Sequence, residues 1–321
     1  MKKQTISKVF RLIALCMSGI ILWILPGNAQ QSSLITQYMF QNMEINPAYA
    51  GSGEGINATG FMRQQWIGFK DAEGNQVAPQ TFWATVDVPV KFLHGGAGLS
   101  ISQDKLGFFR TIVVKLDYAY HMDLGPGDFS AGINLDMNNT RLDFSKFKPI
   151  EEDDPLLTDK SEKSDLVVDF GLGAYYRVPD KFYAGISTDE VLQTQEHKIY
   201  YHLKREYYLT GGYDYTIPGY PMYEILPSMF FQTDMAAYQL DLDALLMYNK
   251  KVWGGIGYRL QDAVSLLGGF NVKGLRIGLS YDISTSALSR YNNGSVEVML
   301  NYCFKIKTDK FRRSYKNTRF L

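Results

Sequence analysis

Between Thr111 and Leu124 the chain alternates. Ile112, Val114, Leu116, Tyr118, Tyr120, Met122 and Leu124 fall on one face, and Thr111, Val113, Lys115, Asp117, Ala119, His121 and Asp123 on the other. A helix would mix the two sets; a strand separates them. The period continues at once: Phe129, Ala131, Ile133, Leu135 and Met137 alternate with Ser130, Gly132, Asn134, Asp136 and Asn138. It returns where Tyr238, Leu240, Leu242, Ala244, Leu246 and Tyr248 oppose Gln239, Asp241 and Asp243. Leu275, Ile277, Leu279, Tyr281 and Ile283 oppose Arg276, Gly278, Ser280 and Asp282, and Val296, Val298, Leu300, Tyr302, Phe304 and Ile306 oppose Glu297, Asn301 and Lys305. Several of the apolar sets end in Tyr, which suits a membrane–water interface.

Fourteen such segments can be marked: 55–66, 80–90, 95–103, 108–124, 128–138, 166–178, 181–188, 205–217, 222–233, 237–248, 251–260, 263–272, 274–283 and 294–306. The first and ninth alternate least clearly. Their connections sort into two kinds. Lys91 to His94, Gly125-Pro126-Gly127, Pro179-Asp180, Pro218 to Pro221, Asn249-Lys250 and Lys273 are short. The alternate connections include the long ones: Ile67 to Pro79, Asn139 to Asp165, Thr188 to Lys204 and Ser284 to Asn293. An even strand number, strands of about ten residues, and short turns on one side predict an all-β, antiparallel, outer-membrane barrel over 55–306. Both ends of such a barrel lie on the short-turn, periplasmic side. A soluble β-sandwich also alternates, but it turns its polar face outward and does not need loops sorted by side.

Outside the barrel the pattern changes. Lys2, Lys3, Lys8 and Arg11 precede an apolar run from Leu12 to Leu25, too short to span a bilayer comfortably. Gly27-Asn28-Ala29 supplies small residues for cleavage after Ala29, so 1–29 is expected to be an export signal. Cys16 should leave with it, and Cys303 alone then forms no internal disulfide. No later stretch is long and apolar enough for a membrane helix. Residues 307–321 form a basic tail with Lys307, Lys310, Arg312, Arg313, Lys316 and Arg319.

Charge and candidate chemistry then narrow the function. The 33 basic and 33 acidic residues cancel, which argues against nucleic acid as a partner. Of the four histidines, His197 and His202 share a loop, but they lack a Cys partner and the helical spacing of a zinc site. The acidic run Glu151-Glu152-Asp153-Asp154 lacks the spacing of a calcium loop. His94 and His121 have no evident nucleophile beside them, and no phosphate loop or dinucleotide fingerprint appears. An enzyme, a metal site and a cofactor are therefore not expected. Lys115, Asp117, Asp136, Asp169, Asp214, Asp241, Asp243, Arg259, Arg276, Asp282 and Glu297 face inward in a barrel. Their signs are mixed, so they are expected to pair with one another rather than select ions. Steps such as Gly171-Leu172-Gly173 lie within strands, where they let the sheet bend or another segment approach.

Residues 30–54 contain QYMFQNMEINPAYAGS, from Gln37 to Ser52. Asn46-Pro47 interrupts strand pairing, and Asn42, Glu44 and Asn46 would be costly in hydrocarbon. This stretch is expected to start on the periplasmic side and to pack at the barrel base. Tyr38, Phe40 and Tyr49, with Asn46 and Pro47, are its candidate lumen-capping or partner-binding residues.

The same stretch resembles the N-terminal signature of the PorP/SprF family of type IX secretion system membrane proteins. RQQWIGF at Arg63 to Phe69, APQTFWATVDVPV at Ala78 to Val90 and GAGLSISQDKLGFFRT at Gly96 to Thr111 are similar to further family blocks. So are DYAYHM at Asp117 to Met122, DDPLL at Asp153 to Leu157 and DKFYAGIS at Asp180 to Ser187. The resemblance implies a multi-pass outer-membrane protein of Bacteroidota-type bacteria, seated in outer-membrane lipid. It further implies work with the type IX periplasmic ring components, or with the C-terminal domain of a particular secreted or surface protein such as a gliding adhesin. It carries no catalytic residues. A passive channel for small solutes is the alternative, and loops 139–165 and 188–204 are the candidate outer contacts.

Overall fold

The structure, a computed structural model, describes residues 33–53, 55–71, 73–144, 161–195 and 203–305. These form one closed antiparallel sheet of fourteen strands. The first seven are β1 (Gly55–Gln64), β2 (Gln80–Val90), β3 (Gly95–Leu106), β4 (Phe109–Leu124), β5 (Gly127–Asp143), β6 (Glu162–Val178) and β7 (Phe182–Asp189). β8 runs over Glu206–Tyr213 and resumes, after a break at Asp214, at Tyr215–Thr216. The rest are β9 (Tyr223–Thr233), β10 (Tyr238–Tyr248), β11 (Val252–Arg259), β12 (Ala263–Val272), β13 (Leu275–Ser284) and β14 (Ser295–Lys305). Closure is by β14 on β1, in register from Gly55↔Lys305 to Gln64↔Val296. No helix among the described residues is long and apolar enough to cross a membrane; the strands do so.

Burial is inverted relative to a soluble protein. On β10, Gln239, Asp241 and Asp243 are buried, while Leu242, Leu246 and Tyr248 are exposed. Leu116, Ile133, Leu135, Ile186, Ile256, Leu279 and Leu300 are likewise exposed. These side chains form a lipid-facing belt, and the polar sets face the lumen. This arrangement removes the sandwich alternative, which would bury the apolar faces between two sheets.

The short turns follow local rules. Lys273-Gly274 closes β12 onto β13 with positive φ at both residues (50° and 87°), the geometry whose twist matches paired strands. Asn249 and Lys250 also take positive φ between β10 and β11. The hairpin of β5 and β6 extends farther than the sequence pattern predicts, pairing through Asp143↔Glu162. Residues 139–143 and 162–165 are therefore strand, not loop. Their alternation is blurred because a hairpin that projects beyond the bilayer has water on both sides. The export signal at 1–29, the acidic run 151–154, His197, His202 and the basic tail 307–321 lie outside the described residues.

Candidate functional site

The lumen is occupied by the chain's own lead-in, residues 33–53. It contains a single turn at Tyr38–Phe40, the short helix α1 (Asn42–Ile45) and a second turn at Pro47–Tyr49. Its direction differs from the expectation. Its start lies at the long-loop end of the barrel, and it descends inside the lumen to reach β1 at the short-turn end. Strand topology fixes only the position of Gly55; the residues before it are free to fold back where the lumen offers partners.

Those partners are charged at the long-loop end. The amides of Thr36 and Gln37 donate to the two carboxylate oxygens of Glu297, each at 2.9 Å. The Thr36 hydroxyl donates to Asp282 at 2.8 Å and accepts from Arg63 at 2.7 Å and Arg259 at 3.1 Å. Arg63 pairs with Asp282 at 2.7 Å and with Glu297 at 3.3 Å. Arg259 pairs with Asp282 and Asp241, both at 3.2 Å. Arg63 and Glu297 are 1% and 0% exposed, so each depends on the other's charge. All of these strand residues lie within a few positions of a long-side connection: Arg63, Arg259 and Asp282 before one, Asp241 and Glu297 after one.

Midway down, Tyr38 is fully buried, stacks on Phe230 at 5.3 Å and donates to the Ser228 hydroxyl at 3.1 Å. Glu44 pairs with Lys115 at 3.5 Å, and Lys115 with Asp189 at 2.8 Å. Asn46 and Pro47 act together. The Asn46 side chain accepts from the Ala48 amide at 2.9 Å, capping the turn that Pro47 begins. Its amide nitrogen donates to the carbonyls of Ala174 on β6 and Ile186 on β7, at 3.0 and 3.3 Å. The turn lies so close to the sheet that a Cβ at Gly132 would meet the Pro47–Ala48 backbone, and one at Gly173 would meet Asn46. These strand glycines make room for an approaching segment.

At the short-turn end, Phe40 packs on Trp253 at 4.9 Å, and the Arg276 guanidinium lies 4.7 Å from the centre of its ring. Tyr49 meets Tyr175 edge-on at 5.4 Å. The Gly51 amide donates to Asp87 at 3.0 Å, and His121 Nε2 lies 2.9 Å from the Ala50 carbonyl oxygen. Lys250, in the β10–β11 turn, is 2.9 Å from Asp180, whose hydrogen bond raises the lysine pKa above its ordinary value. The five candidate residues thus share one segment but not one mouth. Tyr38 sits mid-lumen, Asn46 lies on β6 and β7, Pro47 on β5 and β6, and Phe40 and Tyr49 are near the short turns.

Thr36, Gln37 and Arg63 join the site although nothing in their local sequence marks them as site residues. A signal for the lead-in's contact surface was present as breaks in the polar face. Phe61, Trp83, Phe230, Leu245, Trp253 and Met299 stand where a lumen-facing polar residue is expected, and they form one buried cluster with Ile35, Tyr38 and Ile45. Of the inward charges, Lys115, Asp241, Arg259, Asp282 and Glu297 pair. Among the described residues Asp117 and Asp136 are buried without an ion-pair partner, and Arg276 meets no acid.

Solved structures that share the fold include two outer-membrane transport proteins. The toluene transporter TbuX of Ralstonia pickettii matches with a TM-score of 0.51 at 12% identity, over 82% of this chain and 93% of that one. The monoaromatic hydrocarbon channel CymD matches with a TM-score of 0.50 at 11% identity, over 84% and 94%. At such identities the likeness concerns the barrel alone. No curated protein matches the sequence. The family model described as type IX secretion system membrane protein PorP/SprF matches residues 27–302.

Proposed function

We propose that this chain, which belongs to the PorP/SprF family of type IX secretion system membrane proteins, is a non-enzymatic accessory barrel of protein secretion. In this reading it reaches the outer membrane after cleavage at Ala29 and holds a partner there. That partner is a component of the periplasmic ring, or the C-terminal domain of one secreted or surface-anchored protein. The observation that carries the reading, beside family membership, is the lead-in. A protein that passes solutes needs a lumen, whereas here residues 33–53 are fixed in it by buried ion pairs, ring stacking and backbone hydrogen bonds. A barrel filled in this way works through its ends and loops.

Deletion of the gene tests the proposal: one or a few surface or secreted proteins should disappear from their normal place. An unchanged surface proteome would count against it. Planar-bilayer recordings address the passive-channel alternative, since the purified protein should conduct poorly. Large, steady conductance of the intact chain would favour the channel.

A further inference from the structure

The short-turn mouth holds a cavity of about 820 Å³ between the lead-in and the barrel wall. Phe40 and Tyr49 line it from the lead-in, and Lys251, Lys273 and Arg276 from the wall. Arg276 is on the inward face of β13, and it also lines an adjoining cavity of about 370 Å³. Its Nε donates to the Asn271 side-chain oxygen at 3.0 Å, and its plane is held against Phe40. No carboxylate among the described residues neutralises it, and Lys251 and Lys273 have none either. Lys250, on the rim, is satisfied by Asp180 and Glu224. Among the described residues the carboxylate in the cavity wall is Asp87, which accepts from the Gly51 amide and from Asn57.

This arrangement contrasts with every other inward arginine described above. Arg63 and Arg259 each meet two or more acids. Arg276 is instead braced at Nε and on one ring face, with its two terminal nitrogens free of any described hydrogen bond. A planar guanidinium braced in this way is pre-organised for a carboxylate, which it can grip with two parallel hydrogen bonds. The aromatic brace lowers the entropy lost on binding.

We propose that this cavity is a binding site for the carboxylate of an acidic peptide segment supplied by a periplasmic protein. The volume admits several residues rather than a single ion, and Lys251 and Lys273 offer charge for further acids. The site faces the lumen and not the lipid, so a phospholipid headgroup would have to leave its leaflet to enter it. The inference rests on the reading of the protein as a partner-binding barrel and adds the place and chemistry of one contact.

The test uses the full-length protein in detergent micelles and a fluorescein-labelled peptide rich in Asp and Glu, followed by anisotropy. Wild type should bind it, more weakly as salt rises. Arg276→Gln should weaken binding by about tenfold or more, as expected for loss of a charged hydrogen-bond donor, with Lys273→Gln smaller. Arg276→Lys should restore only part of the affinity, since a point charge lacks the two-pronged grip. Each variant must retain the gel-mobility shift of a folded barrel. Absence of wild-type binding, or equal binding by Arg276→Gln, would overturn the site. Equal competition by inorganic phosphate at the peptide's concentration would overturn the peptide assignment in favour of a general anion site. If wild type binds nothing but gene deletion still abolishes surface display, the site fails while the secretion reading stands. If Arg276→Gln loses the peptide and gene deletion leaves the surface proteome intact, the site stands and the secretion reading fails.

Discussion

The two ends of the lumen solve the same problem with opposite chemistry. At the long-loop end the lead-in is held by a closed set of charges, in which Arg63, Arg259, Asp241, Asp282 and Glu297 satisfy one another and Thr36. At the short-turn end it is held by rings and by close backbone approach, and a cationic group is left over beside open volume. A matched set of charges is an anchor, because releasing the segment means breaking pairs; the cavity of about 150 Å³ beside it has lysines, Lys115 and Lys204, that are already paired with acids. An end with an unmatched cation and free space can accept something. The difference assigns fixation to one end and exchange to the other.

The most damaging way to break this contrast is at the anchor. Asp282→Ala removes the carboxylate that two buried arginines share and leaves each with fewer acids, and removing one member of such a network costs about 3–5 kcal/mol. Thermal unfolding in detergent should shift down clearly, and single-channel recordings should show larger and noisier conductance as the lead-in loosens. A variant with wild-type melting and a silent bilayer trace would refute the anchoring role.

Gly132→Val acts next, from the glycine floor. Its side chain would collide with the Pro47–Ala48 backbone, and overpacking of this kind costs about 1–3 kcal/mol. A cysteine placed at Ala48 should then react faster with a soluble maleimide than in the Gly132 background. Asn46→Ala should be milder. It loses a turn cap and two links to β6 and β7, for about 1–2 kcal/mol, read as a modest drop in melting temperature. Lys250→Ala sharpens the comparison from the other side. Its pair with Asp180 is exposed, so the loss should be about 0–1 kcal/mol and melting should stay unchanged.

Much of this architecture is legible in the sequence because a strand's period is local. Ile112 to Leu124 can be sorted into two faces without knowing what either face touches. The fourteen segments, the sorted turns and the barrel follow from such local sorting. The course of the lead-in does not. Thr36 and Glu297 lie 261 positions apart, and nothing in QYMFQNMEINPAYAGS has a period that would announce its partner. Arg63 sits on β1, a strand with weak alternation precisely where Phe61 turns inward to meet the lead-in's cluster. The same effect weakens β9, where Phe230 faces inward to stack on Tyr38. Poor alternation in these two strands marks a barrel whose interior is partly apolar by design of its plug. Asn46-Pro47 is legible as a chain-breaking step, but the carbonyls of Ala174 and Ile186 that Asn46 reaches lie 128 and 140 positions away, beyond any local pattern.

The seam of the barrel adds a temporal meaning to the anchor. Arg63 on the first strand and Glu297 on the last are direct partners across the closing pair. Both also grip the residues at the start of the lead-in, Thr36 and Gln37. The Thr36 and Gln37 contacts therefore cannot form until β14, the last strand, is in place. A truncated product that lacks β14 would lack the carboxylate that receives the Thr36 and Gln37 amides, and would present both a loose lead-in and an open strand edge.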